Sequence, residues 1–262
     1  MPEITKHVET MFSYADLSTT DLQGAKKFYT ELFDWQVEDV PMGPNDFYAI
    51  FKKNGKTTAA AANQRKEQAD AGVPAMWNTY FTVTDVDSRS KEAERAGGTI
   101  HAGPFDVFES GRMSVISSPS GAFFSLWQAK NDIGAQVMNE PNTLTWTECV
   151  STDIQKDRAF FTELFGWDAE EMPEPSGGVY VLLRKEEQSV CGLMPVPAEG
   201  MPSFWLNYFN VADCEASVDK ARKLGATIQR ETTPIPGIGR FALVNDPQGA
   251  GFGLLEPEPR QS

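Results

Sequence analysis

The chain is poor in histidine, cysteine and positive charge, and each shortage excludes a class of function. Its 262 residues hold two histidines, His7 and His101, so a metal centre that needs several convergent imidazoles is hard to build. The three cysteines, Cys149, Cys191 and Cys214, form no CxxC pair and all fall in the second half. An odd number without ligand spacing describes neither a disulfide framework nor a structural zinc site, and it fits a reducing, cytoplasmic setting. Lys and Arg number 23 against 37 Asp and Glu, a formal net charge of -14. Such a surface repels phosphate backbones and anionic lipid, so nucleic acid and membrane are poor partners. No apolar run is long enough to cross a bilayer, and the first fourteen residues carry no apolar signal core, so the expectation is a soluble cytoplasmic protein. There is no Walker or Rossmann glycine pattern and no Ser/His/Asp or Cys/His set. Gly103-Pro104 and Gly177-Gly178 read as turns.

Aromatic side chains and a repeat are what the chain has in quantity. Hydrophobic residues make up 40% of it, including 17 Phe and 6 Trp, enough for one large domain or two ordinary ones. Phe28-Tyr29-Thr30-Glu31-Leu32-Phe33-Asp34-Trp35 falls on Phe160-Phe161-Thr162-Glu163-Leu164-Phe165-Gly166-Trp167 at an offset of 132 residues. Trp77, Asp85, Gly97, Gly111-Arg112 and Pro119-Ser120-Gly121-Ala122 match Trp205, Asp213, Gly225, Gly239-Arg240 and Pro247-Gln248-Gly249-Ala250 at an offset of 128. The order and length of the match mark an internal duplication. Two copies are too few for a solenoid, so each half is expected to close its own core.

Within the first half the hydrophobic period alternates. Residues 12–20 read as a strand entering a polar cap, and Thr20 or Asp21 opens a helix with Phe28, Tyr29, Leu32 and Phe33 on its apolar stripe. Phe47–Lys53 and Thr57–Ala62 read as strands about the Asn54-Gly55 hairpin signal, followed by a polar linker over Asn63–Pro74. Met76–Val83 is a strand, Asp85 caps a helix to Ala96, and Gly97-Gly98 ends it. Strands follow near Thr99–Ala102, Arg112–Ser117 and Ala122–Gln128. Each half is thus strand, helix and about three strands, twice over, which makes four modules of βαβββ type in an α+β fold. The two domains span 9–130 and 140–257.

Asp21-Leu22 opening a helix with Phe28-Tyr29, Leu32-Phe33 and then Trp35, followed by Val83-Thr84-Asp85-Val86-Asp87 and Pro119-Ser120-Gly121-Ala122, resembles the vicinal oxygen chelate superfamily. That superfamily includes glyoxalase I, extradiol dioxygenases and bleomycin-resistance proteins. The resemblance covers nearly the whole chain, twice, and is narrowest to the two-domain glyoxalase-like proteins of actinobacteria. It implies paired modules whose sheets curl into cups, with metal ligands projecting from cup strands where a metal is bound.

The resemblance places the first-strand ligand at Tyr14 in half one and Trp146 in half two, the second-module ligand at Asn78 and Leu206, and the last-strand ligand at Ser125 and Gly253. The fourth positions fall within Thr57–Ala62 and Ser189–Met194, where Cys191 is the one ligand-type side chain. This is not a set that divalent metals favour, so no metal and no cofactor are expected, and glyoxalase or dioxygenase chemistry by the metal route does not transfer.

Strand alternation puts Asp16 on the same face as Tyr14, and its repeat mate Glu148 beside Trp146. A carboxylate on an apolar face is a candidate general acid or base, or an anchor for a ligand amine. The reading that weighs more is a structural acid that accepts backbone N–H groups or pairs with Arg112 or Arg240. Tyr80, Tyr208 and Trp127 are candidate aromatic walls for a flat or cationic ligand, whereas Trp77 and Trp205 face the core. Arg112 and Arg240 follow glycines suited to positive φ and are candidates to close the cup rim over an anionic group; a solvated or structural role reads as well.

Three functions remain open: a metal-free binder of neutral or cationic small molecules, a lyase or isomerase that uses Asp16 or Glu148 as acid or base, and an interaction protein with one degenerate cup. Half one, polar at Tyr14, Asn78 and Ser125, is the better candidate for a working cup. A monomer or weak dimer is expected, because two domains in one chain can bury what single-domain relatives bury as dimers.

Overall fold

A computed structural model describes residues 3–44, 46–173 and 178–258; Gly177, half of one expected turn, lies outside them. The first half runs β1 (Phe12–Thr19), α1 (Leu22–Phe33), β2 (Gln36–Gly43), β3 (Asp46–Lys53), β4 (Lys56–Asn63), α2 (Lys66–Asp70), β5 (Met76–Thr82), α3 (Val86–Arg95), β6 (Thr99–Val107), β7 (Gly111–Ser117) and β8 (Phe123–Ala129). The second runs β9 (Thr143–Ser151), α4 (Ile154–Phe165), β10 (Asp168–Pro173), β11 (Val179–Lys185), β12 (Gln188–Pro195), β13 (Phe204–Asn210), α5 (Cys214–Lys223), β14 (Thr227–Ile235), β15 (Gly239–Asn245) and β16 (Gly251–Pro257). This is the α+β, four-module plan read from the repeat.

The four long helices start where the sequence marks them. Asp21, Asp85, Asp153 and Asp213 sit just before them and accept the backbone N–H three residues on, at 2.9, 3.0, 3.1 and 2.9 Å. Each such cap satisfies an orphan donor and stabilises its helix by about 1 kcal/mol. The helix α2 inside the polar linker and the outer strand β2 were not anticipated. Both are mostly exposed, so neither carries an alternation of buried and exposed residues that a hydrophobic period could show.

Each half forms one eight-stranded sheet, ordered β2-β3-β4-β1-β5-β8-β7-β6 and β10-β11-β12-β9-β13-β16-β15-β14. Consecutive modules therefore pair with each other. They join along antiparallel β1 and β5, with Tyr14 opposite Tyr80 and Asp16 opposite Asn78, and along β9 and β13, with Trp146 opposite Tyr208 and Glu148 opposite Leu206.

The expectation that each half closes its own core is not met. The helices leave part of each convex face uncovered, and the two sheets bury those faces against each other in one continuous core. Phe81 on β5 meets Phe165, Trp167 and Trp205 of the other half at 5.4, 5.4 and 5.1 Å between ring centroids. Its repeat mate Phe209 meets Phe33, Trp35 and Trp77 at 5.0, 5.5 and 5.1 Å. The Trp35 indole donates to the Asn142 carbonyl at 2.7 Å, and the Trp167 indole to Thr10 Oγ1 at 3.3 Å. Thr79 and Asn207 occupy equivalent positions and touch each other, Oγ1 donating to Oδ1 at 3.1 Å, so a pseudo-two-fold axis passes between them. Packing back to back leaves the concave faces of the two sheets turned away from the shared core.

Candidate functional site

In the first cup β1 turns Tyr14 and Asp16 inward. Asp16 Oδ1 accepts from Asn78 Nδ2 at 2.7 Å, and its Oδ2 accepts the hydroxyls of Tyr80 at 2.8 Å and Tyr48 at 3.1 Å. Tyr14 stands edge-on to Tyr80 at 5.8 Å, and Tyr80 edge-on to Trp127 at 6.5 Å. Ser125 lies beside Tyr80 across the β5–β8 pairing and is buried. Burial pushes the Asp16 carboxyl above its ordinary range, while the bonds from Asn78, Tyr80 and Tyr48 pull it back.

The second cup repeats the centre of this cluster. Glu148 Oε1 accepts the Tyr180 hydroxyl at 2.8 Å and Oε2 accepts the Tyr208 hydroxyl at 2.7 Å. The Trp146 indole donates to the Tyr180 oxygen at 3.2 Å. Burial again raises the carboxyl, and the Tyr208 and Tyr180 hydrogen bonds oppose the rise. Around it stand Val150, Leu206 and the partly buried Met194, Phe241, Leu243 and Leu255, so the setting is apolar.

Tyr48 and Tyr180 were missed from the sequence. They lie on β3 and β11, at equivalent positions of the repeat, and that register was the available signal. Each crosses from the outer part of its sheet to the carboxylate on β1 or β9. The Asp16 and Glu148 partners are thus neutral phenol and amide groups rather than the backbone N–H groups or arginines considered at first.

Arg112 and Arg240 do not reach the cups. On β7 it is Met113 and Val115 that lie opposite the cup residues Trp127 and Ser125, which turns Arg112 to the convex side. There its Nε and Nη2 bond Asp87 of α3 at 2.7 and 2.9 Å. Arg240 likewise lies 3.5 Å from Glu215 of α5. Gly111 opens β7 without a positive φ; what it needs is room, since a Cβ there would lie 2.4 Å from the Trp127 ring. Trp77 and Trp205 are in the core, as alternation requires.

The residues at the ligand positions do not fit a chelated metal. The first cup offers Tyr14, Asn78 and Ser125 beside Asp16, and burial holds the Tyr14 phenol well above its usual range, so it does not ionise readily. In the second cup Gly253 has no side chain, and a Cβ there would lie 2.1 Å from the Tyr208 ring. On the fourth strand Ala60 lies opposite Asp16 and Gly192 opposite Glu148. Cys191 is buried in the core, and Cys149 turns away from Glu148 toward the buried Asp157, 3.8 Å from its carboxylate. Neither histidine serves a cup: His7 Nε2 lies 2.7 Å from the Ala135 carbonyl, and His101 Nε2 lies 2.9 Å from Ser117 Oγ. Among the described residues no three His, Cys, Asp or Glu side chains converge.

A depression of about 560 Å³ lies elsewhere, between residues 6–9 and the ends of β5 and β8. It includes Lys6, His7 and Glu9, but Glu9 is held by Arg89 and Thr84 at 3.2 and 3.1 Å. The carboxylate–tyrosine clusters are the stronger sites, because their polar groups converge. Among the described residues no helix is long and apolar enough to cross a membrane.

Comparison with known proteins accords with this fold. The family model described as "Glyoxalase/Bleomycin resistance protein/Dioxygenase superfamily" matches twice, at residues 7–126 and 143–254. A protein of Mycobacterium tuberculosis named "Putative glyoxylase CFP32" is 38% identical over 262 residues, the full length of both chains. The "Anthracycline biosynthesis protein DauV" of a Streptomyces species is 32% identical over 258 residues, 93% of this chain and 92% of its own. Among solved structures, the Mn(II)-bound glyoxalase from Novosphingobium aromaticivorans superposes with a TM-score of 0.64 at 16% identity, covering 97% of this chain and 86% of that one. The 2,3-dioxygenase LapB from Pseudomonas sp. KL28 gives 0.64 at 15% identity over 100% and 96% of the two chains.

Proposed function

The chain belongs to the glyoxalase, bleomycin resistance protein and dioxygenase superfamily, and within it we propose a metal-independent small-molecule binding protein. One observation carries this reading. Each cup centres on a carboxylate held by two tyrosine hydroxyls, Asp16 by Tyr48 and Tyr80, and Glu148 by Tyr180 and Tyr208, with residues that do not chelate at the ligand positions. A fixed polar anchor among aromatic faces suits the recognition of an apolar body bearing a polar group. The anthracycline biosynthesis proteins among the relatives carry a name that suits a ligand with ring surface.

The test pairs metal analysis with a thermal-shift screen of small aromatic amines, alcohols and acids. Mn(II), Zn(II) and Fe(II) are expected to leave the melting temperature unchanged and to wash away. Members of the screen should raise it by several degrees, an effect that Trp127→Ala reduces. Metal retained at one equivalent and lost on substitution of Asp16 or Asn78 would refute the proposal.

A second reading, a lyase or isomerase using Asp16 or Glu148 as acid or base, is favoured by one fact: burial raises both carboxyls, the direction that suits proton transfer near neutral pH. Asp16→Asn and Glu148→Gln separate the two, since an enzyme would lose turnover while a binding protein would only bind more weakly.

A further inference from the structure

Resting on the reading that the cups bind small molecules, we propose that the first cup alone takes a ligand, a single-ring body carrying an ammonium group, with Asp16 as its counter-ion. The second cup is closed by its own side chains.

The charge argument begins with what Asp16 lacks. Its partners among the described residues, Asn78, Tyr80 and Tyr48, are all neutral, and no described Lys, Arg or His is among the groups that shift its carboxyl. A carboxylate has about four acceptor sites; three donors reach Asp16, and Oδ1 receives one of them. Asp16 also keeps part of its surface open, unlike the strand residues Ala15 and Leu17 beside it. An ammonium entering here gains a charged hydrogen bond to the carboxylate beside the largely buried rings of Tyr14, Tyr80 and Trp127, an electron-rich setting that favours cations. An anion meets only repulsion, in the cup and from the surface, whose formal charge is -14.

The second cup differs at several matched positions. Ser18, Asn78 and Thr82 of the first cup keep accessible surface, whereas their counterparts Val150, Leu206 and Asn210 are 3%, 9% and 6% exposed. Gly192 and Gly253 explain part of this. A Cβ at Gly192 would lie 2.1 Å from the Tyr180 oxygen, and one at Gly253 2.1 Å from the Tyr208 ring, so both tyrosines rest against bare strand backbone. Ala60 and Ser125 occupy those two places in the first cup, so each strand position there carries a Cβ. Trp146 keeps some surface, but its indole N–H is turned onto Tyr180.

The experiment is a ¹⁹F NMR titration of the full chain with 4-fluorobenzylamine, a cation at neutral pH, and with 4-fluorobenzyl alcohol, its neutral counterpart. The amine is expected to saturate at one equivalent with about tenfold or greater preference over the alcohol. Asp16→Asn should remove that preference, and Asn78→Leu, which copies the second half, should weaken amine binding. Glu31→Gln, an exposed carboxylate on α1, should change nothing. Saturation at two equivalents, or amine binding that survives both cup variants, overturns the single-cup assignment. Equal affinity for amine and alcohol overturns the counter-ion while the cups remain binding sites. Failure of both probes, where the thermal-shift screen finds another ligand, overturns this inference alone.

Discussion

The two cups hold the same device in different surroundings, while the core between them is built nearly alike on both sides of its pseudo-axis. In the cups a carboxylate on the central strand is gripped by one tyrosine from each module. Asp16 has Asn78 as a third donor, where Glu148 has Leu206 opposite. In the core Phe81 and Phe209 each insert among three rings from the other half, at closely similar distances. The core departs from symmetry at its polar spots, of which one lies beside Trp77. The Trp77 indole donates to the Tyr29 hydroxyl at 3.0 Å, and that hydroxyl donates to Asp246 at 2.9 Å. The mate of Tyr29 is Phe161, and the Trp205 nitrogen is left buried with no partner among the described residues. After duplication, mutual burial constrained the shared core from both sides, whereas each cup faced outward and was free to diverge.

That contrast can be broken most forcefully in the core. Phe81→Ala and Phe209→Ala each remove a fully buried ring from the junction, and each should cost about 3–5 kcal/mol. If the core is one unit, urea unfolding of either variant stays a single transition shifted by a similar amount. Two separated transitions would show that the halves fold independently and would remove the reason for the core's symmetry.

Next in size is the pH response of the cups. Both carboxyls are raised by burial from ordinary values of 3.8 for Asp16 and 4.5 for Glu148. A raised acid is more readily protonated in the folded state, so it contributes stability that is complete below the ordinary value and is lost as pH rises through the raised one. The stability of the native chain relative to Glu148→Gln should therefore be greatest in acid and decline as pH climbs above 4.5. Asp16→Asn should show the same sign with a smaller amplitude, because Asp16 keeps some contact with solvent. Urea midpoints across the acid range read both. A relative stability that rises with pH would mean that the hydrogen bonds outweigh burial in these sites.

Much of this was legible from residue order alone. The repeat, the Asp helix caps and strand alternation gave the four modules, and the family resemblance marked which strand face is concave, so that alternation put Asp16, Glu148, Tyr80 and Tyr208 on it. What stayed hidden depended on contacts between distant segments. Tyr48 and Tyr180 lie on β3 and β11, and nothing local shows that their hydroxyls span across β4 and β12 to β1 and β9. The shared core was hidden because an apolar strand face reads the same whether its own helix or the other half covers it. Pairing of consecutive modules was likewise unreadable, since each module presents the same kind of edge strand.

The arginines show where alternation was available and not applied, and they give the smallest expected effect. Arg112 and Arg240 sit at matched positions after matched glycines, which suggested a rim. Counting by twos from Trp127 across β7 turns them to the other face. Arg112 grips Asp87 with two nitrogens and lies 3.4 Å from Asp106, whereas Arg240 has one 3.5 Å contact with an exposed Glu215. The paired geometry is the stronger, and it holds the Asp87 carboxyl below its ordinary range. Arg112→Ala should lower the melting temperature slightly at low salt and less at high salt, where exposed charges are screened. Arg240→Ala should leave it unchanged. Neither should alter the binding of 4-fluorobenzylamine. A loss of binding in Arg112→Ala with the melting temperature unchanged would return that side chain to the cup and blur the line between a fixed convex face and a divergent concave one.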